Sequence, residues 1–278
     1  GILAALLISR LISRSLTLLT LDARRMGDLE LGGSRVVHSY ISEINALARA
    51  LETARGAIHT FAVFVPRELV RRIVASGQAV LGSADRLEVT VLFTDIRDFT
   101  SISETSSPED VVALLSTYFQ VMNDVVEQHH GVILQYLGDS INAIWNAPTP
   151  NPAHAADACR CALALKAAID ELNAANLAAG KPAFATRFGL HTGEAVVGTV
   201  GARSRLQYTA MGDTVNVASR LEGANKQFGT SILVSRAVVD QAGPAHRFRA
   251  LGFAEVKGRH EAVEVFELLD MASEVEPR

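Results

Sequence analysis

The chain has 278 residues, with 26 Lys plus Arg against 30 Asp plus Glu and a hydrophobic content of 49%. That length holds one large domain or two smaller ones with a substantial core, and the near-balance of charge leaves no basic field of the kind that draws nucleic acid. The two cysteines, Cys159 and Cys161, fit neither a metal-ligand spacing nor a disulfide framework, which leaves them as buried thiols of a reducing compartment.

The run Ile2 to Ile8 is almost wholly apolar and is followed by Arg10, Arg14, Arg24 and Arg25. It is shorter than the ~20 residues a spanning helix requires and lacks the features of a signal peptide. Two readings stand, the cytoplasmic end of a transmembrane helix over residues 1–10 and an amphipathic helix that never meets lipid. The basic residues on one side favour the first, with anchorage at the cell inner membrane and the rest of the chain in the cytoplasm. Next, Ile12, Leu16, Leu19, Ala23 and Met26 step by four and three up to the glycine-containing stretch 27–33. Beyond it Val37, Ile44, Leu51 and Ile58 fall seven apart, with Tyr40, Leu47, Ala54 and Phe61 on a companion seam. Two such helices around a glycine connector resemble a HAMP linker, the parallel four-helix module that relays signals from membrane sensors. The alternative is a plain helical hairpin. The linker and its signalling helix then occupy residues 11–61, and 62–86 form a connector in which Pro66 starts a short helix to about Ala75.

From 87 to 269 strands and helices alternate, and 270–278 form a tail. Leu87 to Phe93 alternates as a strand, and Ser107-Pro108-Glu109-Asp110 caps a helix to about His129. Val132 to Leu137 and Ile141 to Asn146 flank Gly138-Asp139 as a hairpin, and a helix runs from Ala153 to about Ala178. Strands near Phe184 to Leu190, Glu194 to Gly198 and Leu206 to Met211 lead to a helix from Thr214 to Phe228. A strand pair near Phe248 to Val256 and Ala262 to Leu268 closes the domain. This order predicts an α+β fold with a ferredoxin-like βαββαβ core and extra strands.

Asp95 and Asp139 each follow an apolar run, at the point where a strand gives way to a turn. Carboxylates at adjacent strand ends suit two hard divalent cations set against a nucleoside triphosphate. Together with Gln207 to Glu222, Arg187 to Gly193, Val197-Gly198 and Val256-Lys257-Gly258-Arg259, they resemble the catalytic domain of class III nucleotidyl cyclases. The resemblance covers residues 86 to 269, with the motifs in order. It implies conversion of ATP to 3′,5′-cyclic AMP and pyrophosphate. It further implies that Asp95, Asp139 and the carbonyl of Ile96 hold two Mg²⁺ or Mn²⁺ ions, and that Asn216 and Arg220 position the ribose and the α-phosphate. Phe99 and Thr100, in the turn from Arg97, together with Arg187 and Lys257 match positions that hold the triphosphate; Asp98 reads as a loop residue. Because both half-sets of residues are present, a homodimer with composite sites is implied.

Base choice is where the chain departs from the family pattern. Gln135 stands where adenylyl members carry Lys and guanylyl members Glu, and its partner position is Thr209. Both side chains donate and accept hydrogen bonds, so guanylyl or relaxed specificity stays open beside the adenylyl reading. An inactive, dimeric signalling module is the reading from another class, opposed by the completeness of Asp95, Asp139, Asn216 and Arg220. No Gly-Gly-Asp/Glu-Glu-Phe signature of diguanylate cyclases occurs.

Overall fold

Two stretches of the chain fold as separate units, Gly1–Val80 and Leu81–Arg278. The computed structural model describes residues 1–27, 38–62, 65, 69–70, 84–202, 205–254 and 262–271. The expected glycine connector beyond Gly27, most of the short helix at Pro66, and Val256 to Arg259 lie outside the described residues.

The first unit contains α1 (Ile2–Gly27) and α2 (Ser42–Ala62). Asp22 of α1 pairs with Arg55 of α2 at 3.7 Å, and Arg55 also contacts Glu52. Each helix buries one seven-residue step and exposes its companion. Leu19 and Met26 are buried and Ile12 half-buried, while Leu16 and Ala23 are exposed. In α2, Ile44 is buried and Leu51 and Ile58 half-buried, while Leu47 and Ala54 are exposed, as is Tyr40 just before the helix. A pair of helices can cover only one seam of each, so the second heptad seam faces outward. Among the described residues no helix is long and apolar enough to cross a membrane.

The second unit is built on an eight-stranded sheet. Its elements are β1 (Ala84–Ile96), α3 (Phe99–Thr105), α4 (Pro108–Gln128), β2 (Val132–Leu137), β3 (Ser140–Trp145), α5 (His154–Ala178), β4 (Thr186–Ala202), β5 (Arg205–Met211), α6 (Asp213–Phe228), β6 (Ile232–Ser235), α7 (Arg236–Ala242), β7 (His246–Ala254) and β8 (Val263–Met271). The strand order is β2-β3-β1-β4-β6-β8-β7, with β5 paired to the far half of β4. All pairings are antiparallel except β4 with β6. The segment β1-α4-β2-β3-α5-β4 is therefore the expected ferredoxin-like core, and β5 to β8 are its extra strands.

Local signals account for several of these elements. The Ser107 hydroxyl accepts from the Asp110 N–H at 3.1 Å, capping α4, and Pro108 occupies its first turn. Gly138, at φ 66°, makes the β2–β3 turn and frees Asp139 from that duty. On one face of the sheet, Leu92, Ile96, Ile141, Ala143, Phe188 and Leu190 pack against Tyr118, Met122, Cys161 and Leu165 of α4 and α5. Both cysteines are buried there, which pushes their thiols up, Cys159 to about 12. On the opposite face, Val217 and Leu221 of α6 pack against Leu233 and Val265.

Two sequence expectations change. The strands read near Phe184–Leu190 and Glu194–Gly198 are one strand, because β4 pairs with β1 without interruption from Thr186↔Ile96 to Gly198↔Ala84. Within this strand Gly189 marks a close approach. A Cβ on Gly189 would lie 2.1 Å from the Glu222 nitrogen and 2.4 Å from the Ala218 oxygen, so α6 lies directly on β4. In addition, β6 and α7 had no sequence counterpart. All four residues of β6 are buried, so it shows no alternation.

Candidate functional site

Three anchors set α6 along β4. Near its N-terminus, the Thr214 hydroxyl donates to the Glu194 carbonyl at 2.5 Å. Midway, Gly189 admits the helix backbone. Toward its C-terminus, the buried Asn225 amide donates to the Phe188 carbonyl at 2.9 Å. The helix thereby brings Glu222 beside the ends of β1 and β4.

There, Asp95 and Arg187 are cross-strand partners, and the Arg187 Nη2 donates to Asp95 Oδ2 at 3.4 Å. The Ser140 hydroxyl donates to Asp95 Oδ1 at 3.1 Å, and the Ile96 N–H donates to Asp139 Oδ2 at 3.2 Å. Asp95, Ile96 and Asp139 thus converge from β1 and the β2–β3 turn. Arg187 Nε faces Glu222 Oε1 at 3.4 Å as an ion pair too misaligned for a hydrogen bond, and both atoms are buried without one. Burial, seconded by the charge of Asp95, holds the Asp139 carboxyl above the usual carboxylate range. Burial also pushes Glu222 to about 7, reinforced by the charges of Asp95 and Asp139 and opposed by that of Arg187.

Three carboxylates around one guanidinium leave the site short of positive charge. Asp95 and Asp139 with the Ile96 carbonyl fit hard divalent cations, which take oxygen ligands and complete their shells with phosphate and water. Among the described residues no cluster of three or more His, Cys, Asp or Glu forms a closed metal site. A two-carboxylate set of this kind suits cations that share their remaining positions with a substrate.

The other sequence candidates take varied positions. Phe99 and Thr100 begin α3 rather than extending a loop, after Asp98 at φ 57°. The Phe99 ring packs edge-on against Phe184 at 6.1 Å, leaving its backbone for any phosphate contact. The Arg97 N–H is already bound to the Ala185 carbonyl at 2.7 Å, so it is not available to a phosphate. Gln135 is half-buried on β2, just past a register shift that leaves Leu134 unpaired. Thr209 is half-buried on β5 opposite Gly198. Asn216 is exposed and Arg220 half-buried on α6, and among the described residues no hydrogen bond or ion pair joins either to the carboxylates. Lys257 lies outside the described residues. Glu222 was not singled out from sequence. The only hint was its place two residues after Arg220, and its partner Arg187 is distant along the chain.

Residues 83–269 match the adenylate and guanylate cyclase catalytic domain family. Adenylate cyclase 1 of Rhizobium meliloti is 52% identical over 275 residues, covering 99% of this chain and 41% of that protein. The chain spans less than half the length of the curated relatives it matches first, 41% and 49% for the first two. The crystal structure of the guanylyl cyclase Cya2 aligns with TM-score 0.64 and 31% identity over 69% of this chain and 96% of its own. That of the adenylyl cyclase CyaB from P. aeruginosa aligns with TM-score 0.63 and 31% identity over 68% and 96%.

Proposed function

Because this chain belongs to the adenylate and guanylate cyclase catalytic domain family, we propose that it converts ATP to 3′,5′-cyclic AMP and pyrophosphate. The observation that carries this reading is the convergence of Asp95 and Asp139 beside Arg187 at the ends of adjacent strands. In the reaction the ribose 3′-oxygen bonds to the α-phosphorus and loses its proton, and the bond from that phosphorus to the pyrophosphate oxygen breaks. Two divalent cations, Mg²⁺ or Mn²⁺, held by Asp95, Asp139 and the Ile96 carbonyl, would when bound lower the proton affinity of the hydroxyl and neutralise the triphosphate. Arg220 supplies charge to the α-phosphoryl oxygens, and Asn216 orients the ribose. Arg187, the start of α3 at Phe99 and Thr100, and Lys257 hold the phosphate tail. Gln135 and Thr209 meet the base.

Among the described residues no hydrogen bond or ion pair joins Asn216 or Arg220 to Asp95 or Asp139, which supports a homodimer in which one subunit supplies Asp95 and Asp139 and its partner supplies α6. The extent of the match to the Rhizobium meliloti protein supports ATP as substrate. The alignment with the guanylyl cyclase Cya2 at equal identity keeps GTP as the second reading. The outward-facing seams of α1 and α2 support a HAMP-like linker, since a parallel four-helix assembly of two chains would cover them. The apolar run from Ile2 with Arg10 and Arg14 supports placing that linker at the inner face of the cell membrane, with the catalytic unit in the cytoplasm. The test is turnover of the purified chain with ATP and with GTP in Mg²⁺ and in Mn²⁺, products identified by mass. Cyclic AMP as the main product is expected. No cyclic nucleotide from a folded dimer would sink the enzyme reading.

A further inference from the structure

On the sheet face that carries α6, successive rows cross the strands in register. One row holds Asp95 of β1 and Arg187 of β4, with Ser140 donating to Asp95. The neighbouring row, roughly 7 Å away, holds Gln135, Asn142, Phe93 and Gly189 of β2, β3, β1 and β4. The unpaired Leu134 creates this register, because it shifts β2 by one residue and sets Gln135 directly opposite Asn142.

Asn142 is 3% exposed, and its Oδ1 has no hydrogen-bond partner. A buried amide oxygen without a donor is destabilising, and an apolar side chain in this row would avoid the penalty. Phe93 and Gly189 carry no polar side-chain atom, so within the row Gln135 is the one side-chain donor. Cross-strand partners have Cβ atoms about 5 Å apart, which a rotation of the longer Gln135 side chain spans. No hydrogen bond joins the two amides in this structure.

We propose that Asn142 is a positioning residue that determines base specificity, an inference that rests on the nucleotidyl cyclase reading above. Asn142 Oδ1 accepts from Gln135 Nε2, and the Gln135 carbonyl is left turned toward the purine. A fixed carbonyl accepts from the 6-amino group of adenine and repels the 6-oxo group of guanine. Without this bond the Gln135 amide turns over freely and offers its NH₂ to guanine equally well. Gln135 alone is therefore ambiguous, and the Gln135–Asn142 pair is selective.

The test uses the full 278-residue chain and compares kcat/KM for ATP and for GTP in wild type, Asn142→Leu, Gln135→Ala and the double variant, with melting curves to confirm folding. In Asn142→Leu the ATP-to-GTP ratio is expected to fall about tenfold, the worth of one hydrogen bond, at unchanged or higher Tm. Asn142→Ser, too short to reach Gln135, should do the same and serves if the leucine variant fails to fold. In the Gln135→Ala background Asn142→Leu should leave the ratio where it was. The inference is overturned if both Asn142 variants keep the ratio within about twofold of wild type, or if their effect persists without Gln135. A wild-type chain that cyclises neither nucleotide overturns the cyclase reading itself, and this inference with it.

Discussion

Gly189→Ala places one methyl group where α6 meets β4. The new Cβ would lie 2.1 Å from the Glu222 nitrogen and 2.4 Å from the Ala218 oxygen, both backbone atoms that no rotamer change can move. Gly189 lies outside the left-handed region, so room alone decides the outcome. Restoring a 3.4 Å contact requires α6 and β4 to separate by about 1.3 Å. Overpacking of this kind costs about 1–3 kcal/mol, or about 2–12 °C in Tm for a unit of this size. The same shift moves Glu222 away from the ends of β1 and β4 and displaces Arg220 and Asn216 with the rest of α6. A displacement of ~1 Å in catalytic groups lowers turnover about 10²-fold. Thermal melting and cyclic-nucleotide production on one preparation measure both effects. A variant with wild-type Tm and wild-type kcat would refute the claim that the contact at Gly189 positions the helix.

Asp139→Asn should lower turnover about 10²–10³-fold while leaving Tm unchanged or raised, because its half-buried carboxylate lies beside the charge of Asp95; a fall in Tm on melting would contradict that account. Arg220→Ala should cost about 10³–10⁵ in kcat with the fold intact, and near-normal steady-state turnover would remove Arg220 from the chemistry. Mixing these two inactive chains should restore about a quarter of wild-type activity, since half the dimers would be mixed and each would hold one complete site; no recovery would argue against composite sites. Burial favours the neutral rings of His154 and His246 in the folded chain, and for His154 it outweighs the opposing charge of Glu88. Below about pH 6.5 the unfolded chain takes up those protons first, so their contribution is present above that pH and lost as pH falls. Between pH 8 and 5 Glu222, raised to about 7, acts in the opposite sense in both chains, so on acidification a His154→Gln, His246→Gln double variant should lose less Tm, or gain more, than wild type; identical acid limbs would refute the assignment.

Features that depend on near neighbours in the chain were legible in the sequence. Ser107 and Pro108 start α4 through contacts within one turn. Gly138 turns β2 into β3 and leaves Asp139 at the tip. The heptad steps of α1 and α2 were readable because helical faces repeat every three or four residues. These patterns, with the ordered motifs, were enough to determine the ferredoxin-like core and the family. Tertiary structure decided what joins distant segments. Asp95 meets Arg187 across 92 positions of chain, and α6 meets β4 only because Gly189 lacks a side chain. A glycine in sequence reads equally as a break or as a close approach, and only the packed helix shows which it is. The buried strand β6 carries no alternation to read, and the one-residue shift at Leu134 that faces Gln135 with Asn142 leaves no local mark. Register and helix docking are set by the pairing of whole surfaces, and that pairing exists only once the chain has folded.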